Sequence, residues 1–304
     1  MSQGRPEMPA AVRQLPHGPG VYRFLGNGGH VLYVGRAGDL RRRVASYWGG
    51  LGGRKHLAPM VGGVRRVQAV LCASEHEAAW LERNLLERRK PRANRTPGGQ
   101  EVPVVVGLGR DGLKALHQPS GGAWRYFGPY LGGDRLRLAL SGINRVYPMP
   151  FISRDATAGE RELARVRAPN LGCAEIVQAV SAVLERDATA VAILDDELVR
   201  HRARAATALA FELARRIQDE IEAVKWLVSP QRVTTLDPCD LDVFGWDSGM
   251  LVHFAVFGGR LSTWRERPAG ARAAARLTAR TPAGWAEFAG ENAMLAAALA
   301  KVNA

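Results

Sequence analysis

The sequence predicts an α+β protein. Two β-prone runs joined by a glycine-rich loop near the N-terminus, the amphipathic helical periods that follow them, and a second series of strands near residue 240 all point that way. The expected architecture is an antiparallel three-stranded sheet flanked by helices, then a helical hairpin, then a small α+β C-terminal segment. At about 150 residues per domain, 304 residues suggest two domains or one with appendages. An apolar fraction of 46% supports a cored, globular chain.

Gly20-Val-Tyr-Arg-Phe-Leu25 and His30-Val-Leu-Tyr-Val-Gly35 flank Gly26-Asn-Gly-Gly29, whose residues tolerate positive φ, so the runs are expected to pair as a hairpin. A symmetric four-residue loop would set Tyr22 opposite Tyr33, with both phenols on one face and Cβ atoms about 5 Å apart. Residues 40–48 read as a helix capped by Asp39, with Leu40, Val44 and Trp48 buried and Arg43 and Tyr47 sharing the neighbouring face. Residues 64–73 alternate as a third strand. Ser74 to Glu77 then form a capping box that opens a helix running to about Lys90. Ala78, Leu81, Leu85 and Leu86 make its apolar stripe. Glu82 falls inside that stripe, so its carboxylate needs an arginine partner or a metal. Glu75, Glu77 and Glu87 read as helix-dipole partners or solvated side chains.

Further along, residues 188–205 and 207–227 read as two amphipathic helices. Val191, Leu194 and Leu198 line one; Phe211, Ala214, Ile217 and Ile221 line the other. They can bury each other, or pack on the rest of the chain. Residues 233–261 read as strands with turns at Asp247-Ser-Gly and Gly258-Gly, and residues 287–302 as a closing helix. The expected divisions are 1–98, 99–174, 175–230 and 231–304.

Charge narrows the function. Forty-two Lys plus Arg against twenty-nine acids leave +13. Residues 1–100 hold seventeen of those cations and six acids, a net +11, which makes this third the expected polyanion-binding part. Arg36, Arg41, Arg42 and Lys90 are its candidate phosphate contacts; Arg36, Arg41, Arg42 and Arg43 could instead form a solvated basic face. Cys72, Cys173 and Cys239 are too few and too far apart for a disulfide framework or a four-cysteine metal site. With no apolar run near the ~18 residues that span a bilayer and no secretory signal in MSQGRPEMPAAVRQ, a cytoplasmic protein without membrane contact is expected.

Gly20-Val-Tyr22, Tyr33-Val-Gly35, Arg43, Leu81-Glu-Arg-Asn-Leu-Leu86 and Lys90-Pro-Arg-Ala-Asn94, in this order, resemble the GIY-YIG nuclease domain in its UvrC variant. The resemblance implies that Tyr22 and Tyr33 are the motif tyrosines, Arg43 the catalytic arginine and Tyr47 a supporting phenol. It makes Glu82 the ligand of one Mg²⁺ or Mn²⁺, and Asn94 the residue that closes the site. Arg36 stands where the family more often has Lys. Tyr126-Phe-Gly-Pro-Tyr130 is similar to the segment after that nuclease domain, where the family has a cysteine cluster. Cys173 is the only cysteine there, so no iron–sulfur cluster is expected. Residues 175–227 resemble the helical hairpin that binds UvrB, which would make Phe211, Ala214 and Ile217 contacts for a UvrB-like damage-loading protein. No second nuclease segment is apparent, as in the short homologue Cho; Asp240 and Asp242 lack a third ligand.

The resemblance implies a metal-dependent endonuclease of nucleotide excision repair, cutting one strand on the 3′ side of a lesion and leaving a 5′ phosphate and a 3′ hydroxyl. A non-catalytic DNA-binding or adaptor protein of a repair complex is the competing expectation. Such a module would need only the arginines, whereas Tyr22, Tyr33, Arg43, Glu82 and Asn94 are all present.

Overall fold

A computed structural model describes residues 8–49, 56–95, 101–109, 112–119, 121, 124–152, 156–167 and 171–302. The first segment holds α1 (Ala11–Gln14), β1 (Gly20–Leu25), β2 (Val31–Ala37), α2 (Leu40–Ala45), α3 (Ala58–Gly62), β3 (Arg66–Leu71) and α4 (Glu75–Arg88). The middle holds β4 (Pro103–Gly109), β5 (Gly112–Leu116), β6 (Arg125–Leu131), α5 (Gly133–Val146), α6 (Ala158–Arg167), α7 (Cys173–Leu184), α8 (Ala188–Thr207) and α9 (Phe211–Leu227). The last holds β7 (Leu241–Asp247), β8 (Met250–Phe257), β9 (Arg260–Pro268), α10 (Ala271–Thr278) and α11 (Ala283–Val302).

The chain forms two compact units, residues 1–100 with 230–304, and residues 101–229. The four sequence segments thus combine in pairs; the boundary at 98 lies outside the described residues. The last segment joins the first because they share a core. Leu299 of α11 is buried with Ala11, Val12, Leu15, Tyr22, Phe24, Leu40 and Val44.

In this first unit the sheet runs β2-β1-β3, all antiparallel. Each edge strand is closed by a side-chain amide. Asn94 accepts from the Val34 amide at 3.0 Å and donates to the Val34 carbonyl at 2.7 Å. Asn292 of α11 does the same to Leu71 of β3, at 2.7 and 3.1 Å. A second sheet, β7-β8-β9, lies under α11, which approaches so closely that a Cβ on Gly245 would meet the Ala289 carbonyl oxygen at 1.9 Å. Only glycine fits there.

Ser74 caps α4 as expected, accepting from the Glu77 amide. Glu77 departs from the sequence reading. It is fully buried, and its carboxylate accepts from the Ala73 amide at 2.7 Å and the Arg232 amide at 2.9 Å, tying α4 to the last segment. Helix α2 ends at Ala45, shorter than the expected 40–48, although Tyr47 and Trp48 continue as a turn bonded back to Val44 and Ala45.

In the second unit the sheet runs β5-β4-β6. Val106, Leu136, Ile143, Ile176, Val180, Leu194, Leu198, Ile217 and Ile221 share one core. The two long helices therefore pack on α5 and α7 as well as on each other. Their turn falls at 208–210, with Leu209 at φ 57°, so the second helix starts at Phe211 and not at residue 207. Glu220, fully buried on α9, bonds Ser141 and Arg145 of α5, which joins the hairpin to this core by a paired charge.

Candidate active site

The β1–β2 register differs from the symmetric expectation. Tyr22 pairs with Gly35 and Phe24 with Tyr33, because Gly26 donates to the His30 carbonyl and the ladder shifts between Phe24 and Leu25. The parity of the strands is unchanged, so the phenols still share a face as diagonal neighbours, with ring centroids 6.2 Å apart. Gly35 is the reason they can meet. A Cβ there would lie 2.6 Å from the Tyr22 hydroxyl and 2.7 Å from the Tyr33 ring. Phe24, which the sequence reading passed over, completes the cluster against Tyr33 at 6.1 Å and Tyr47 at 5.1 Å; its even spacing from Tyr22 was the available signal.

Asp39 starts α2 by accepting from the Arg42 amide at 2.8 Å, and His17 bonds its other oxygen at 2.8 Å. This start points Arg43 and Tyr47 at the tyrosines. The Tyr47 and Tyr22 hydroxyls are 2.7 Å apart, and the Arg43 guanidinium lies 5.9 Å over the Tyr47 ring. Burial, reinforced by Tyr47, raises the Tyr33 phenol above the ordinary range; Glu82 adds to this and Arg43 opposes it. Tyr22 is raised in the same way, by burial and then by Tyr47 and Tyr33. Both are protonated at neutral pH in this setting.

Glu82 reaches the site from α4. Its side chain is 21% exposed, and the nearest Arg36 nitrogen is 3.3 Å away. Among the described residues no group of three His, Cys, Asp or Glu could hold a metal, so Glu82 would supply a single carboxylate. One carboxylate, with the remaining positions open to water and phosphate, suits a hard cation that keeps much of its hydration. Asn94 is spent on the β2 edge, where it holds Tyr33 and Gly35 in place through Val34.

The candidate DNA contacts divide. Arg36 and Arg42 are exposed, and Lys90 bonds the Arg95 carbonyl at 3.3 Å. Arg41 is tied inward, donating to the Leu15 carbonyl at 2.6 Å. Asp240 and Asp242 serve local structure; Asp240 accepts from the Gly258 amide and Asp242 bonds His253 at 2.6 Å. Phe211, Ala214 and Ile217 belong to the other unit. Phe211 is 66% exposed, while Ile217 is 1% exposed in the core and offers no surface to a partner.

A paired-tyrosine hairpin, an arginine helix and a lone carboxylate on α4 are the features of a GIY-YIG domain, and residues 18–95 match the model of the UvrC-like GIY-YIG domain. Most of the chain is similar to UvrABC system protein C. It is 30% identical over 285 residues to that protein from Syntrophomonas wolfei, a match covering 84% of this chain and 46% of the relative. It is also 30% identical over 282 residues to that from Neisseria gonorrhoeae, covering 84% and 44%. The chain thus spans less than half the length of these relatives. Among solved structures, the magnesium-bound N-terminal endonuclease domain of UvrC from Thermotoga maritima is 29% identical; the match covers 29% of this chain and 99% of that domain, with a TM-score of 0.25. No helix among the described residues is long and apolar enough to cross a membrane.

Proposed function

We propose that this chain is a metal-dependent DNA endonuclease that makes one single-strand incision during nucleotide excision repair, on the 3′ side of the lesion. The observation that carries this reading is the gathering of Tyr22, Tyr33, Tyr47 and Arg43 over one face of the hairpin, with the Glu82 carboxylate close enough to act on the Tyr33 phenol. Glu82 would hold one Mg²⁺ or Mn²⁺, which when bound supplies a Lewis acid for the leaving 3′ oxygen. Arg43 grips the scissile phosphate and neutralises charge that grows in the transition state. Tyr33 accepts the proton of the attacking water, a role that needs its phenolate favoured by nearby positive charge. Tyr47 orients Tyr22 through the shared hydrogen bond, and Asn94 fixes the strand that carries Tyr33. The products are a 5′ phosphate and a 3′ hydroxyl.

Arg36, Arg42 and Lys90 contact flanking phosphates. Loading onto damaged DNA runs through a UvrB-like protein docked at the exposed end of the helical hairpin, where Phe211 stands with Leu209 and Leu213. The test is a nicking assay on end-labelled damaged and undamaged duplex. Glu82→Gln should abolish cutting while sparing duplex binding, because the amide keeps the shape and loses the charge that holds the cation. Full Mg²⁺-dependent cutting by the pure variant would overturn the assignment.

A further inference from the structure

Residues 260–280 carry six arginines and one acid, Glu266. Arg260 pairs with Glu87. The other five, Arg265, Arg267, Arg272, Arg276 and Arg280, have no ion-pair partner among the described residues, although Arg36, Arg83 and Arg232 of the same unit each face a carboxylate. Their placement follows from register. Arg265 pairs with His253 and Arg267 with Leu251 across β8 and β9. His253 stacks on Phe244 at 4.5 Å, and Leu251 packs with Phe244 and Ala274, so this is the face of the second sheet that α10 covers. Trp264 and Glu266, alternating with them, turn the other way: the Trp264 ring lies 3.9 Å from the Arg23 guanidinium and the Glu266 carboxylate accepts from Gln68 of the first sheet. Helix α10 buries Ala274 and leans Leu277 on the same core. At about 100° per residue, Arg272 and Arg276 lie within roughly 40° of each other on the solvent side, and Arg280 follows, exposed, in the turn after the helix. Asp242, the carboxylate on this face of the strands, is engaged by His253.

Five uncompensated guanidinium groups on one layer repel one another, and a polyanion relieves that repulsion. We infer that Arg265, Arg267, Arg272, Arg276 and Arg280 form a second DNA-backbone contact, on the face of the β7–β9 sheet turned away from the β1–β3 sheet and its tyrosines. Steps of two residues along a strand and four along a helix both repeat near roughly 6 Å, so the arginines present charge at close, regular intervals. Guanidinium forks suit phosphate oxygens, and nothing in this layer reads bases, so the contact is independent of sequence. It adds to the N-terminal arginines that sequence charge alone singled out.

The test uses the full chain without divalent cation and a fluorescent, undamaged 30-base-pair duplex, with affinity measured between 50 and 200 mM salt. Replacing all five arginines by Ala should weaken binding by roughly tenfold or more and flatten the log-affinity against log-salt slope by roughly 2 to 4. The five-Lys variant should restore most of both, which separates charge from folding. A slope unchanged in the Ala variant, or no recovery in the Lys variant, overturns this face. So does binding by the parent to anionic phospholipid vesicles, lost in the Ala variant, with duplex binding intact. A parent chain that does not bind duplex at all would instead defeat the proposed function.

Discussion

Glu266→Gln should change how stability depends on pH, and the size of the change follows from the surroundings of the carboxylate. Glu266 accepts from Gln68 at 2.6 Å and from the Trp264 indole at 3.0 Å. Arg23, which bonds Gln68 at 2.5 Å and lies 3.9 Å over the Trp264 ring, is the charge that acts most strongly on it. Burial dominates all the same and pushes the Glu266 carboxyl up to about 7 from an ordinary 4.5, against the pull of Arg23, Trp264, Gln68 and Arg66. Burial also pushes Arg23 down to about 10, which leaves it charged at neutral pH. A carboxyl raised by folding holds its proton more tightly in the folded state. Its contribution to stability is therefore complete below pH 4.5 and is lost as pH rises to 7. Two and a half units correspond to on the order of 3 kcal/mol. Urea unfolding of both chains from pH 4.5 to 8 isolates the group, because the other titrations cancel in the difference. Stability of the parent minus that of the variant should fall by this amount across the window and stay level above it. A flat difference, or one that rises with pH, would refute the reasoning.

Arg43→Ala should slow single-turnover cutting by about 10² to 10³, the loss of one preorganised oxyanion partner; weaker binding with an unchanged rate would reassign it to positioning. Asn292→Ala should cost about 2 kcal/mol in urea unfolding, since it removes two bonds to the β3 edge and leaves the Leu71 groups unpaired. Phe211→Ser should leave stability within about 0.5 kcal/mol, because the ring is exposed, while reducing capture by a UvrB-like protein; equal capture would return the hairpin to a structural role.

Much of the site was legible because its geometry is local. Strand parity placed both phenols on one face whatever the register, and helical spacing put Glu82 in an apolar stripe, where it now stands beside Arg36. The register itself was not legible, because a bulge at Leu25 and the Gly26 to His30 bond leave no mark in composition. The buried role of Glu77 was hidden for a different reason: its partner, Arg232, lies 155 residues away. The same holds for α11, whose apolar period marks a buried helix but not the strand it covers. The β4–β6 sheet was missed because residues 99–174 read by resemblance as a connecting segment, with no strand pattern drawn from their own residues. Ile217 was correctly placed on the apolar face of its helix, and that is why it is unavailable to a partner.

The two asparagines that close the nuclease sheet also set a timetable. Asn94 follows its strand by 60 residues, but Asn292 reaches Leu71 across 221. During synthesis the ribosome delivers β1, β2 and β3 long before α11 exists, so the nascent sheet waits with one flank open to pairing with other chains. Contacts this distant in sequence also slow folding. A ribosome-stalled chain ending before residue 283 should therefore be far more sensitive to protease in its first hundred residues than the released chain, and the cutting site should mature only after α11 emerges.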